Sequence, residues 1–388
     1  MKNMKTISIV GTRPEAIKMA PVIQALARST QVDSYVCVTG QHRQMLDSAM
    51  ALFKITPDFD LDLMKPGQDL TDITCGVLGS LREVLREVQP DILIAQGDTT
   101  TTMAASLAAF YERIPVAHVE AGLRTGDIYS PWPEEVNRKM VSSIATLHFP
   151  PTAQSRQNLI DENVADDRIT VTGNTVIDAL LGVLEGVVGD EKFRREMHET
   201  YPFLGDETGR RDGRQLVLVT GHRRESFGEG FENMCRALKK IADRDDVRIV
   251  YPVHLNPNVR DPVFRLLGDH PNVVLLEPLD YRPFVYFMYC SRLILTDSGG
   301  VQEEAPSLGK PVLVMRDVTE RSEAVSAGTV KLVGSDYDRI VGETEKLLSD
   351  ETAYASMSQK MNPYGDGRAS QRILDTLLGW HDANTPKA

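Results

Sequence analysis

The side chains best suited to moving protons crowd into one stretch, HVEAGLRTGDIYSPWPEEVNR, residues 118–138. It carries Glu120, Arg124, Asp127, Glu134, Glu135 and Arg138. Carboxylates beside arginines can do acid/base work in a cleft, or form ordinary ion pairs on a solvated surface. An apolar run over 114–119 delivers Glu120 directly, and Trp132 sits among the charges, so the first use is favoured. Gly97-Asp98-Thr99 supplies a further carboxylate, whose plain alternative is to cap the following helix.

Three other runs could bind anions. Gly11-Thr12-Arg13-Pro14-Glu15 opens a helix, where free N–H groups and a partial positive charge suit phosphate. Arg13 and Lys18 would add full charges, although no GxxxxGK[ST] loop is present. Gly221-His222-Arg223-Arg224-Glu225 sets a histidine and two arginines at a strand end, as an anion site or a proton donor to a phosphate leaving group. Asp297-Ser298-Gly299-Gly300 lets backbone N–H groups approach a diphosphate. Glu304, one turn on, could accept from ribose hydroxyls. The competing reading is a tight turn with a solvated Glu303-Glu304 pair. Gly228-Glu229-Gly230 misses the dinucleotide pattern, because Asn233 stands at its third glycine and no strand immediately precedes it.

These groups need strand ends to hold them. Strands are expected over 6–10, 34–39, 91–95, 114–119, 145–149 and 169–171. Helices are expected over 14–27, 41–53, 70–88, 99–111 and 135–144. Gly122, Gly126, Pro131 and Pro133 keep the stretch between Glu120 and Glu134 irregular. A second series follows, with one helical stretch over 173–201 and strands over 215–220, 247–253, 273–276, 293–296 and 312–315. Its helix over 230–242 precedes the second of these strands, and a last helix covers 369–380. Strand and helix in alternation mean an α/β protein with parallel sheets. We expect two doubly wound, Rossmann-like domains with a central cleft. Residues 1–172 would form the first, joined by a C-terminal helix in 366–388, and 173–365 the second.

The chain has 388 residues, 41% hydrophobic and 25% charged, with a net charge of −12. That balance argues against nucleic acid as a partner. Cys37, Cys75, Cys235 and Cys290 lie far apart with no metal spacing, as expected of reduced thiols in a cytoplasmic protein. The apolar run 7–10 is stopped by Gly11, too short for a secretory leader, and no run approaches a membrane span.

The runs GTRPEAIKMAP, QGDTTTTMAA, HVEAGLRTGDIYSPWPEEVNR, VTGHRRESFG, YPVHLNPNV and LTDSGGVQEEAPSLGKPVLVMRDVTER resemble the non-hydrolysing UDP-N-acetylglucosamine 2-epimerases of bacteria. The resemblance extends from about residue 7 to the end. It implies the glycosyltransferase-B fold, a homodimer, and neither metal nor nicotinamide cofactor. The implied reaction interconverts UDP-GlcNAc and UDP-ManNAc, feeding cell-surface polysaccharide synthesis. By position, Arg13, Lys18, Asp98, Glu120 and His222 would line the substrate site. Ser298, Gly299 and Gly300 would hold the diphosphate and Glu304 the ribose, with Arg321 among the anion contacts. Phe284 and the backbone at Leu279 would flank the uracil. Asp98, Glu120 and Glu134, with Arg138 and His222, would form the catalytic group. Gln41, Gln44, Arg223 and His254 match a second, allosteric UDP-GlcNAc site of bacterial members. The arginine that some members carry near Pro66-Gly67 is missing. Competing functions on the same fold are a sugar-nucleotide glycosyltransferase, a hydrolysing epimerase and a non-catalytic UDP-sugar sensor.

Overall fold

The computed structural model describes residues 3–40, 43–65 and 67–384. The chain divides into two compact units, Met1–Ala179 with Tyr364–Ala388, and Leu180–Pro363.

The first unit alternates β1 (Met4–Val10), α1 (Arg13–Arg28), β2 (Val32–Val38), α2 (Arg43–Leu52), β3 (Phe59–Asp60), α3 (Leu70–Val88), β4 (Ile92–Gln96), α4 (Thr100–Tyr111) and β5 (Val116–Val119). A loop then leads to α5 (Glu134–Ile144), β6 (Leu147–Phe149) and α6 (Ala153–Asp161). The described strands form one parallel sheet in the order β3-β2-β1-β4-β5-β6. Its central strands read as apolar runs because helices cover both faces, and Ile7, Ile9, Leu93 and Ala95 pack with Leu81, Leu85 and Ala105.

The helix α7 (Thr175–Gly189) carries the chain from the first unit into the second. There follow α8 (Glu191–Thr200), β7 (Arg210–Arg211), β8 (Arg214–Thr220), α9 (Glu229–Ala242), β9 (Val247–Pro252), α10 (Pro257–Leu267), β10 (Val273–Leu276) and α11 (Tyr281–Tyr289). Next come β11 (Leu293–Thr296), α12 (Gly299–Glu304), β12 (Val312–Val314), α13 (Ser322–Ala327), β13 (Val330–Leu332), α14 (Tyr337–Ser349) and α15 (Glu351–Ser358). The order β10-β9-β8-β11-β12-β13 repeats the pattern of the first sheet, with β7 antiparallel on β8. The chain returns to the first unit for α16 (Ala369–Asn384). Two doubly wound parallel sheets of Rossmann-like order are the fold class expected from the sequence.

Two expected elements differ. Residues 169–171 form no strand; a single bridge, His148 to Ile169, is all that pairs there, and Val171 is exposed. The helical stretch 173–201 is two helices. Asp190 breaks it with extended backbone and caps α8 by accepting from the Phe193 N–H at 3.0 Å.

Candidate active site

In each sheet the strand order reverses at one point, between β1 and β4 in the first unit and between β8 and β11 in the second. Crevices outside the carboxyl ends of such strands are where open α/β sheets bind ligands. Four of the chemistry-bearing runs leave these strand ends, and the fifth leaves β5, the neighbour of β4.

Glu120 follows β5 with φ of +62°, a left-handed conformation uncommon for a residue with a Cβ. Such outliers persist when their surroundings hold them, and they collect at functional sites. Here the carboxylate is the anchor. Lys18 Nζ of α1 and Asn174 Nδ2, just before α7, reach Oε1, the latter at 3.1 Å, and Gln96 Nε2 at the end of β4 reaches Oε2. Glu120, Gln96 and Asn174 are all buried. A carboxylate with three donors from three elements is fixed in position and paired with one cation.

Asp98 lies in the turn after β4. Thr99, not Asp98, caps α4 by accepting from the Thr102 N–H, which leaves Asp98 for Arg138 of α5. The guanidinium holds Asp98 Oδ2 through Nε at 2.9 Å and Nη2 at 2.8 Å, and Glu135 through Nη1 at 2.8 Å. The turn is tied down from β5, where His118 Nε2 donates to the Gly97 carbonyl at 2.7 Å. Burial pushes the His118 imidazole down to about 4, so it is neutral and Nε2 carries the proton.

The loop between Glu120 and α5 sorts its charges. Arg124 is spent on Glu162, Ser142 and the Leu123 carbonyl. Asp127 accepts from Tyr129 N–H in a turn. Glu135 is fully buried and accepts from the Thr125 and Gly126 N–H groups, both at 3.1 Å. Burial alone would raise its carboxyl, but these bonds and Arg138 outweigh that and hold it low. Glu134 is half-buried and makes no hydrogen bond or ion pair among the described residues.

The start of α1 keeps the Gly11 and Thr12 N–H groups for its own Glu15. Glu15 turns back and accepts from Gly11 N at 2.8 Å and Thr12 N at 2.7 Å, while Thr12 Oγ1 completes a capping box. Pro14 has no N–H. Thr99 and Thr102 hydroxyls lie 2.5 and 2.9 Å from the other Glu15 oxygen. Burial raises the Glu15 carboxyl while these donors pull it down. Arg13 is exposed, with no hydrogen bond or ion pair among the described residues.

In the second unit β8 and β11 run side by side and end together, with Thr220 and Thr296 hydroxyls 2.6 Å apart. Beyond them, Asp297 accepts from the His222 and Arg223 N–H groups at 2.6 and 2.8 Å. The His222 ring stacks on His254, centroids 5.5 Å apart. Burial lowers its pKa; Asp297 opposes that, and Arg223 and His254 reinforce it. Gly299 lets the Arg321 guanidinium lie close, since a Cβ there would meet Arg321 Cζ at 2.8 Å and push it aside. Arg321 in turn is gripped by Glu303, at 3.0 and 2.9 Å, and by Glu320 at 2.5 Å. Glu304 accepts from the Tyr281 hydroxyl at 3.1 Å.

A family model for UDP-N-acetylglucosamine 2-epimerase matches residues 24–378. The UDP-N-acetylglucosamine 2-epimerase of Escherichia coli strain K12 is 60% identical over 375 residues, covering 96% of this chain and 98% of that protein. This chain belongs to the UDP-N-acetylglucosamine 2-epimerase family. A crystal structure of the Neisseria meningitidis UDP-GlcNAc 2-epimerase bound to UDP-GlcNAc is similar at 50% identity with a TM-score of 0.88, covering 97% of this chain and 100% of that one. The Methanocaldococcus jannaschii UDP-GlcNAc 2-epimerase, in complex with UDP-GlcNAc and UDP, is similar at 31% identity with a TM-score of 0.78, again covering 97% and 100%.

The first unit of this epimerase-family chain holds Arg13, Lys18, Asp98, Glu120, Glu134 and Arg138, and joins Lys18 to Glu120 and Asp98 to Arg138. The second holds His222, Arg223, His254, Leu279, Phe284, Ser298, Gly299, Gly300, Glu304 and Arg321. Leu279 and Phe284 are half-buried, before and within α11. Gln41 lies outside the described residues, and of Gln44 only the backbone within α2 is described. Sequence reading missed Gln96, Asn174, Glu15 and Asp297. Gln96 and Asp297 stand at strand ends, where a polar residue closing an apolar run was the available signal. Asn174 and Glu15 gave no such signal, because a helix-start asparagine or glutamate reads as a cap.

Proposed function

We propose that this chain interconverts UDP-GlcNAc and UDP-ManNAc by eliminating UDP and adding it back. The C2 proton of the sugar has no neighbouring carbonyl, so direct abstraction is unfavourable. Removing that proton while the C1–O bond breaks sends the electron pair out with UDP and leaves a 2-acetamidoglucal. Protonation of C2 on the opposite face and return of UDP to C1 give the epimer. The observation that carries this reading is Glu120, a buried carboxylate in left-handed backbone at a strand end, held by Lys18, Gln96 and Asn174. Fixed position and a paired cation are what a proton-transfer group needs. Asp98, Glu120 and Glu134 share the acid/base work, with Arg138 holding Asp98. Ser298, Gly299, Gly300 and Arg321 take the diphosphate, with His222 and Arg13 at the leaving group, and Glu304 the ribose. Leu279 and Phe284 flank the uracil.

The chain with UDP-GlcNAc in deuterated buffer, followed by proton NMR, tests the reaction. UDP-ManNAc carrying deuterium at C2 is expected, without added NAD or metal. Free ManNAc with UDP as final products would replace the proposal with hydrolysis, and turnover only with a second sugar acceptor would replace it with transfer.

The same reading makes the chain a cytoplasmic homodimer serving cell-surface polysaccharide synthesis. It also gives it a regulatory UDP-GlcNAc site at Gln41, Gln44, Arg223 and His254. A progress curve from pure UDP-ManNAc should then show a lag that added UDP-GlcNAc shortens, and Gln44→Ala should weaken this activation. A curve without a lag, unchanged by UDP-GlcNAc, would remove the second site.

A further inference from the structure

We propose that Asp297 is the positioning residue that fixes the tautomer of His222 and presents its ring to the diphosphate as an imidazolium. This rests on the reading that His222 faces the leaving group.

Asp297 is fully buried. Its Oδ2 is engaged by the two backbone N–H groups of His222 and Arg223. Its Oδ1 is buried with no hydrogen bond among the described residues, and His222 Nδ1 lies 3.3 Å from it. A buried carboxylate oxygen is costly unless a donor faces it. The imidazole supplies that donor only with a proton on Nδ1. The side chain of His222 is 41% exposed, so its Nε2 edge remains for a ligand. A neutral ring with Nδ1–H has a lone pair on Nε2, which would repel a diphosphate. An imidazolium has N–H groups on both edges and bridges the carboxylate to the phosphate oxygens. When the C1–O bond breaks, its electron pair goes to the diphosphate, and the imidazolium donates a hydrogen bond while keeping its proton.

The groups facing His222 divide cleanly. Arg223, its chain neighbour, and His254, from the end of β9, both disfavour the cation, as does burial. Asp297, from the end of β11, favours it, and the balance in the free protein still lies below the ordinary histidine value, so Asp297 limits a fall that burial drives. His254 does not compete for Asp297, because its own Nδ1 accepts from the Asn256 N–H at 3.1 Å. The pairing survives because β8 and β11 are locked in register up to Thr220 and Thr296.

Two measurements test this. In the intact protein, ¹⁵N–¹H correlation of the His222 ring, assigned by its loss in His222→Gln, should show the Nδ1–H tautomer above the titration. An Nε2–H tautomer would overturn the proposal without any variant having to fold. In Asp297→Asn the amide oxygen still accepts the backbone N–H groups, but the counter-charge is gone. The alkaline limb of kcat/KM, which reports the free enzyme, should then move to lower pH by about one unit or more, roughly tenfold in rate above the limb. A purely structural role would lower the rate equally at every pH, and an unmoved limb would sink the proposal. Wild-type protein that does not epimerise UDP-GlcNAc would sink the functional reading instead, leaving the tautomer measurement standing.

Discussion

Both sheets reverse at the same topological position, yet the turns leaving them satisfy their donors differently. After β4, Thr99 caps α4 and Asp98 pairs with Arg138. After β11, Ser298 makes no side-chain cap, α12 has no acidic residue in its first turn, and Asp297 turns inward to the His222 segment. The helix after β1 begins on its own Glu15. So the first unit caps α1 and α4 with its own side chains and spends its polar groups on fixing Glu120 and Asp98. The second leaves the start of α12 without a side-chain cap, with Arg321 over Gly299. Under the proposed function, the first unit carries proton chemistry and the second carries nucleotide binding. One topology supports both because the satisfaction of strand-end donors, not the sheet, decides what each end can hold.

The largest effect should come from the first unit. Glu120→Gln keeps shape and removes proton transfer, so kcat should fall roughly a hundredfold or more, the range for general acid/base groups. Steady-state kinetics of the epimerisation check this. A near-normal kcat would move the chemistry out of the first unit and break the comparison.

Glu15→Ala should act on folding. It leaves the Gly11 and Thr12 N–H groups without their acceptor, at a cost on the order of 3 kcal/mol for two buried donors. A clear loss in Tm is expected. An unchanged Tm would mean that the start of α1 is satisfied by something else.

The paired histidines of β5 and β6 give a pH signature to the first unit. His118 and His148 face each other in register, and burial pushes them down to about 4 and about 3. Each folded pKa lies below the unfolded value of roughly 6.5. The unfolded chain therefore takes up protons that the folded one refuses, and stability falls as pH drops from that value toward 4. Denaturant unfolding at several pH values should show a shallower acid loss in His148→Leu than in wild type. Parallel curves would show that the buried pair does not titrate in this window.

Most of the fold was legible, and for a physical reason. Strands buried on both faces are unbroken apolar runs, and 273–276 and 293–296 were bounded correctly from them. The two-residue strands Phe59–Asp60 and Arg210–Arg211 carry no such signal, and the bridge at Ile169 is too short to count as one. At the site, strand-end placement flagged Asp98, Glu120 and His222. Of the donors that fix Glu120, Lys18 was flagged, but Gln96 and Asn174 were not legible, because folding brings them together from distant segments. At the start of α1 the Gly11 and Thr12 N–H groups are taken for a local reason. Glu15 is spaced to cap its own helix, and that intramolecular bond precedes any ligand.

The smallest predicted effect sharpens the second unit's role. Glu304 stands at the end of α12 with its carboxylate taking the Tyr281 hydroxyl, and Tyr281 opens α11. Glu304→Gln keeps an acceptor for Tyr281 and removes the charge that, under the proposed function, is offered to ribose. Contacts to ribose change little between the bound substrate and the transition state, so the loss should fall on binding. A hydrogen bond to a charged group contributes roughly 1.5 kcal/mol, so KM should rise about tenfold with kcat within twofold. Initial rates over a range of UDP-GlcNAc separate the two parameters. If kcat falls with KM unchanged, Glu304 acts on the reacting sugar, and the division of labour between the two units does not hold.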